Sequence, residues 1–438
     1  VNRDLRHDLS TAAAAALLVV TAAVVGTRIQ HRYGTLRVNW PPLLADWEPH
    51  LGPGTPAALA VAAAVVAYGP SLAVRLPWRP LLLATWVTGM AWTWSLALID
   101  GWYQGVAGQL TTPHEYLRVV DRFHDLPAAL RDFSGHILLE SPDNWPAHVA
   151  GHPPGATLTF VLLDRIGLGG GGWAGTWCIT VGTTAAVAVL LAVRALADEQ
   201  LARRAAPFLA LAPAAVWVGT SADGYFAAVA AWAVAFLALA VTGTRPRWTG
   251  LVSGLLFGWT VYLSYGLTLF AVIAAAVLLP GSHRARPLPF LLAGFLVVPV
   301  AFTAVGFDWW EAYRLLVTRY HQGAGGVRPY GYWVWANLAC TVVIVGLATV
   351  AGLRRAGGAL VRRTERAEVR LALLVLGALV ALLVADLSGM SKAETERIWL
   401  PFAVWLLPAC AWLPGARAWL TVQAVLALLV NHLLLTGW

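Results

Sequence analysis

The chain has 438 residues, of which 59% are hydrophobic and only 12% charged, against about 45–50% and about 25% in soluble domains. So few charges cannot cover a water-facing surface of this length, and the apolar residues run on without alternating, which excludes a soluble fold and a membrane barrel alike. The formal net charge of +8 comes from arginines scattered through short connections, a topology signal and not a nucleic-acid surface.

In chain order, apolar runs fall near 11–27, 56–74, 80–99, 173–193, 205–220, 224–242, 248–264, 266–280, 287–306, 336–353, 371–387, 398–413 and 417–435. Each is close to the ~20 residues that a spanning helix needs. The sequence therefore predicts an all-α polytopic transmembrane bundle of about thirteen helices, one membrane domain over 1–438. The first run follows Arg3 and Arg6 and has no convincing cleavage site before Gln30, so it is expected to be a retained helix and not a signal peptide. Cys178, Cys340 and Cys410 all lie in apolar runs without metal-ligand spacing.

The connections alternate in charge. One set holds Arg3 and Arg6, Arg75 and Arg79, Arg194, Arg203 and Arg204, Arg245 and Arg247, Arg284 and Arg286, and six arginines from Arg354 to Arg370. The positive-inside rule assigns this set to the cytoplasm, with the N-terminus inside and the C-terminus outside a plasma membrane. The opposite set, 28–55, 100–155, 306–335 and 386–397, then faces the extracytoplasmic side. The alternation holds if 155–168 does not cross. That stretch carries Asp164 and Arg165, costly at mid-bilayer, and is expected to be a half-membrane or surface helix leading into a glycine turn at 167–172.

Eight of the eleven histidines lie in the outer set, as do most of the acidic residues. The large loop 100–155 is too long to be a plain connector. It opens at Asp100, passes His114-Glu115-Tyr116, and closes with His148-Val-Ala-Gly-His152-Pro-Pro-Gly155. Within it, 114–132 has helical periodicity, with Tyr116, Val119, Val120 and Phe123 on one side, and predicts an amphipathic helix on the membrane surface. Asp100 stands where a helix leaves the bilayer. Partial desolvation there would make it a general base, or it simply ends the helix in water. His152 reads equally as a ligand-binding group and as the cap of a helix started by its two prolines.

Two later segments bring cations. Ser391-Lys392-Ala-Glu394-Thr-Glu396-Arg397 holds the only lysine in the chain. Arginine binds phosphate bidentately and stays charged, so Arg397 and Lys392 suit a phosphate-headed lipid. A local salt-bridge network with Glu394 and Glu396 fits the same spacing. Arg319 to Trp333 is rich in glycine and aromatic residues, with Arg328 a second phosphate candidate and the aromatics divided between a sugar site and an interfacial belt. Ser221-Ala-Asp223 reads first as a helix N-cap and second as a group that places a substrate. No nucleotide-binding fingerprint occurs in the strand–loop–helix context it needs.

An acidic residue opening a large outer loop, His152-Pro-Pro closing it, Ser221-Ala-Asp223 before an alanine-rich helix, and an arginine in a late outer loop resemble the GT-C superfamily of membrane glycosyltransferases. The segments Glu396-Arg397-Ile-Trp-Leu-Pro-Phe402 and Arg328-Pro-Tyr330 look like those of its actinobacterial members, including the methylthioxylose-transferase group. The preference for arginine over lysine and the abundance of alanine suit such a source. The resemblance implies a GT-C-like fold, a polyprenyl-phosphate-linked sugar as donor, a cell-envelope glycan or lipid-linked glycan as acceptor, and inverting displacement. It implies Asp100 as base, with Asp46 and Glu48 of the first loop as the alternative because the family's acidic loop usually follows the first helix. Arg397, Arg328, Lys392 and His152 would hold the donor phosphate. Glu115, Tyr116, His148, Asp223, Glu394 and Glu396 would support the site or the acceptor. No metal set stands out, and the carboxylates and histidines leave a divalent metal open. A lipid-linked-sugar flippase or transporter is the competing class, set back by helices nearly free of charge and by the lack of an internal repeat. A non-catalytic scaffold is the third.

Overall fold

A computed structural model describes residues 3–281 and 285–437; Arg284 of the arginine-rich set lies outside them. The described residues are mainly helical with one short strand pair, and all thirteen apolar runs fall on helical segments. Among the described residues, seven helices are long and apolar enough to cross a membrane: Arg3–Tyr33, Thr55–Arg75, Gly171–Leu196, Ala222–Val241, Tyr330–Arg362, Arg366–Leu387 and Ala416–Leu433. Leu288–Ala304 and Trp309–Gln322 make an eighth only as a pair bent by 78°. Runs 80–99 and 248–264 form single helices, Trp78–Ala97 and Pro246–Leu263, and two further runs are interrupted. Run 205–220 divides into Glu199–Ala210 and Ala215–Val218, with Pro207 inside the first. Run 398–413 divides into short turns around Pro401 and Pro408.

Local chemistry sets the boundaries. Asp125, Asp198 and Asp308 cap their helices by accepting backbone N–H bonds, and prolines open Thr55–Arg75, Pro154–Arg165 and Pro246–Leu263. The longest helix, Tyr330–Arg362, breaks at Gly346, whose φ of 79° is left-handed. The buried Gln423 amide fills that break, donating to the Val345 carbonyl at 2.8 Å.

The arginine-rich connections gather at one end of the bundle, where they tie helices together. Arg203 donates to the Ala73 and Leu76 carbonyls, Arg370 to Leu196, and Arg354 and Arg355 converge on the fully buried Asp8 at 2.5 Å each. The loops carrying the histidines and carboxylates gather at the opposite end. There a small antiparallel pair, Ala45–Trp47 with Leu434–Thr436, joins the first loop to the end of the chain.

Helices Pro246–Leu263 and Leu288–Ala304 pack closely through glycine. A Cβ on Gly254 would lie 2.0 Å from the Leu291 carbonyl oxygen, and one on Gly294 would lie 2.1 Å from that of Leu251. Gly250, Gly254 and Gly258 recur every four residues along this face, the close-approach pattern of membrane helices.

Two expectations for the large loop change in detail. Residues 114–132 form no continuous surface helix. A 3-10 turn, Tyr116–Phe123, gives way to Leu126–Arg131 because Asp125 starts a new cap before Pro127. Its apolar side is packed into protein: Tyr116 stacks on Phe160 at 5.4 Å and Phe123 on Trp145 at 5.8 Å. The helix Pro154–Arg165 is 12 residues long, about 18 Å at 1.5 Å per residue, too short to cross. It is buried nearly all round, and Arg165 ends it by donating to the Phe123 and His124 carbonyls. Gly167 and Gly170 then turn with φ of 85° and 87°.

Candidate active site

The short turn Thr395–Ile398 carries Arg397 into the protein between the large loop and the first turn of Ala222–Val241. Glu394, preceding it, has a left-handed φ of 61°, a conformation that costs a non-glycine residue energy and often marks a working site. Arg397 is 3% exposed and its Nη1 donates to Asp223 Oδ2 at 2.6 Å, Asp223 being 4% exposed. Its Nη2 donates to His148 Nε2 at 3.3 Å and lies 3.9 Å from Glu394 Oε2.

His148 passes the chain of bonds onward. With Nε2 accepting from Arg397, Nδ1 carries the proton and donates to Glu115 Oε1 at 2.6 Å. Burial alone would push the Glu115 carboxyl up, but His148 and Arg397 beside it outweigh that and hold it below the usual carboxylate range. Glu394 behaves in the same way, with Arg328 and Arg397 outweighing burial. The three surrounding carboxylates overcome the burial penalty at Arg397 and raise its pKa further. The order Glu115–His148–Arg397–Asp223 is thus a buried, hydrogen-bonded row that fixes one guanidinium in one orientation.

His152 stands beside it in another role. Its Nδ1 meets the His148 carbonyl at 2.7 Å, and its ring packs between Tyr116 and Phe226. Burial pushes its pKa down to about 4, so it is neutral at pH 7 and brings no positive charge to a phosphate. With Nδ1–H bound to backbone, its Nε2 is an acceptor. The Tyr116 hydroxyl and Glu115 Oε2 are buried without a hydrogen-bond partner among the described residues, so the cluster retains polar capacity.

Arg328 and Lys392 stand next to this row and hold backbone. Arg328 Nε donates to the Leu36 carbonyl at 3.0 Å and its Nη1 to Glu394 Oε1 at 3.0 Å. Lys392 Nζ donates to the Gly325 carbonyl at 2.9 Å. Glu396 turns away from Arg397: its Oε1 accepts the Leu44 N–H at 2.9 Å. Full burial pushes the Glu396 carboxyl up to about 7.

Asp100 is not part of the row. Its Oδ1 meets His50 Nε2 at 2.6 Å, and His50 Nδ1 meets the Glu48 carbonyl at 2.6 Å. Burial raises the Asp100 pKa against the pull of His50, whereas at His50 the acceptors Glu48 and Asp100 outweigh burial and raise its pKa. The two are joined by one short hydrogen bond. Nothing local in the sequence pairs positions 50 and 100. The nearest signal was the excess of histidine in outer loops. Asp46 and Glu48 are exposed on the first loop, with Asp46 accepting from Asn39 Nδ2 at 2.7 Å. Among the described residues, no cluster of three or more His, Cys, Asp or Glu side chains is placed to hold a metal ion.

An apolar groove of about 730 Å³ lies between Pro246–Leu263, Phe270–Leu278 and Leu288–Ala304, lined by residues such as Phe257, Tyr262, Phe270, Leu291, Phe295 and Trp309. Its wall touches both polar segments. Phe270 packs on Phe402, five positions after Arg397, with centroids 5.1 Å apart. A Cβ on Gly155, directly after His152-Pro-Pro, would lie 2.5 Å from the Tyr262 carbonyl oxygen.

No family model matches the sequence, and no curated protein matches it either. Among solved structures, the chain is similar to the oligosaccharyltransferase of Archaeoglobus fulgidus in complex with Zn and sulfate, at 14% identity and a TM-score of 0.48, over 80% of this chain and 51% of that one. It is also similar to ArnT from Cupriavidus metallidurans bound to undecaprenyl phosphate, at 15% identity and a TM-score of 0.48, over 74% of this chain and 59% of that one. The chain thus spans about half to three fifths of the length of these proteins.

Proposed function

We propose that the protein is a GT-C-type glycosyltransferase that moves a sugar from a polyprenyl-phosphate carrier to a cell-envelope glycan on the extracytoplasmic side. The observation that carries this reading is a buried, rigidly oriented Arg397 on a segment whose next turn packs against an apolar groove. A lipid phosphate needs both: a fixed guanidinium for the head and an apolar channel for the chain.

In this reading the acceptor hydroxyl attacks the anomeric carbon, the bond from that carbon to the phosphate oxygen breaks, and configuration inverts. Negative charge develops on the departing lipid phosphate. Arg397, oriented by Asp223, His148 and Glu115, stabilises it, the phosphate taking over the guanidinium edge that Asp223 holds in the free protein. Arg328 and Lys392 add positive field at the same end. The acceptor's proton goes to a carboxylate. Glu115 and Glu394 are held below the usual carboxylate range and Asp223 is bonded to Arg397, whereas burial makes Asp100 more basic and His50 gives its proton a path to solvent. The first loop links the two halves, bonded to Arg328 and Glu396 near one end and to Asp100 through His50 at the other.

The test is transfer of radiolabel from a panel of decaprenyl-phosphate sugars to a cell-envelope glycan by purified protein, with Asp100→Asn and Arg397→Lys compared. Transfer by the wild type, lost in Asp100→Asn with lipid-phosphate binding kept, supports the assignment. Full activity of both variants sinks it. Movement of lipid-linked sugar across vesicles without transfer would make the protein a translocator.

A further inference from the structure

The first loop carries a feature that the donor site does not use. Trp40 and Trp47 stack face to face, centroids 4.9 Å apart and planes 29° apart. Both stay open to solvent, 37% and 54% exposed. Two devices hold them. The Trp40–Leu43 turn closes with the Leu43 N–H on the Trp40 carbonyl at 2.9 Å and buries Leu43 beneath. The pairing of Trp47 with Leu434 fixes the other ring. Beside them Asn39 Nδ2 donates to Asp46 Oδ1 at 2.7 Å.

We infer that the Trp40–Trp47 pair, with Asn39 and Asp46, is a carbohydrate subsite that seats the acceptor glycan. This deepens the transferase reading and rests on it. A sugar ring presents a face of C–H groups that packs on an indole and an edge of hydroxyls that needs hydrogen bonds. A rigid aromatic surface with a fixed amide–carboxylate pair at its margin supplies both. Asn39 retains its amide oxygen and Asp46 its second carboxylate oxygen for those hydroxyls.

An interfacial belt is the ordinary use of exposed tryptophan. Here Trp47 lies between two exposed carboxylates, Asp46 and Glu48, and its ring stacks on Trp40, a charged and hydrogen-bonding setting that suits a sugar. The position also suits an acceptor. Leu44, whose N–H is held by Glu396 next to Arg397, precedes Trp47 by three residues, at most about 11 Å of chain. On the other side His50, three residues beyond Trp47, reaches Asp100. Along the chain the platform therefore lies between a contact to the segment that carries Arg397 and a contact to the carboxylate assigned as base.

The experiment uses the full chain in lipid nanodiscs without any donor. The probes are linear tri- to hexasaccharides of mannose, arabinose and glucose, read by saturation-transfer NMR and calorimetry. The wild type should bind at least one series. Trp40→Ala/Trp47→Ala should bind it about tenfold more weakly, and Trp47→Tyr should recover most of the loss. Melting temperature and quenching by brominated lipid should match the wild type in both variants, which separates lost binding from lost folding or lost anchoring. Equal binding by wild type and double variant, no binding by the wild type, or strong bromolipid quenching that the double variant loses would each overturn the subsite. Oligosaccharide binding without sugar transfer would sink the transferase reading and leave the subsite standing. Transfer with an unchanged acceptor KM in the double variant would do the reverse.

Discussion

Replacing Asp223 by asparagine tests the row at its most committed bond. The change is isosteric and removes one charge from a pair in which Arg397 and Asp223 are 3% and 4% exposed and 2.6 Å apart. Removing one partner of a buried ion pair costs about 3–5 kcal/mol because the other charge stays buried. Glu394 at 3.9 Å and Glu115 through His148 still face Arg397, so the lower end, about 3 kcal/mol, is expected. The same change frees a guanidinium edge. Decaprenyl phosphate should therefore bind Asp223→Asn more tightly than wild type and narrow the stability gap. At a hundredfold excess over its Kd, a ligand adds about 2.7 kcal/mol to the state it binds, enough to offset most of the loss. The assay is thermal unfolding in detergent across a titration of decaprenyl phosphate, with decaprenol as control. An equally stable Asp223→Asn protein, or a lipid phosphate that stabilises wild type more than the variant, would refute the view that Asp223 holds Arg397 in place of the ligand's charge.

Other perturbations follow from single contacts. The folded Glu396 carboxyl, pushed up from 4.5 to about 7 by burial, binds its proton more tightly than the unfolded chain does. Its contribution to stability is complete below about pH 4.5 and is lost as pH rises through about 7. Glu396→Gln, which keeps an acceptor for the Leu44 N–H, should therefore gain on the wild type between pH 5 and 8, by at most about 3 kcal/mol; parallel denaturation curves across that range would contradict this. Gly254→Val puts atoms where the Leu291 carbonyl lies 2.0 Å from a Cβ, and should separate the two helices that wall the apolar groove. Lower stability with weaker binding of long-chain polyprenyl phosphate, and little change for a short-chain analogue, is the expected pattern. Asp8→Asn leaves Arg354 and Arg355 without their shared carboxylate and should cost about 2–3 kcal/mol with the acceptor and donor KM unchanged. A change in either KM would mean that the arginine-rich end communicates with the site.

The membrane class and the alternating polarity of the connections were legible because they depend on composition summed over tens of residues. A spanning segment must be apolar wherever it packs. Candidate cations and carboxylates were legible for a related reason: charge is scarce in this chain, so Arg397, Asp223 and Glu115 stood out against it. Partnership was not legible. Glu115, His148, Asp223 and Arg397 are spread over 283 positions of chain, and only packing of the large loop against two distant turns brings their atoms within bonding distance. The same packing gave His152 a neutral ring between Tyr116 and Phe226, turned Glu396 toward Leu44, and paired Asp100 with His50. Residues 114–132 show the limit from the other side, since their periodicity named the buried face correctly while the cap at Asp125 broke the helix. A helical membrane protein with its polar chemistry at one end could be read from the chain, because hydrophobic length is a local property. The tertiary structure alone decided which charges neutralise one another, because Coulombic and hydrogen-bond partners are set by distance in space and not along the chain.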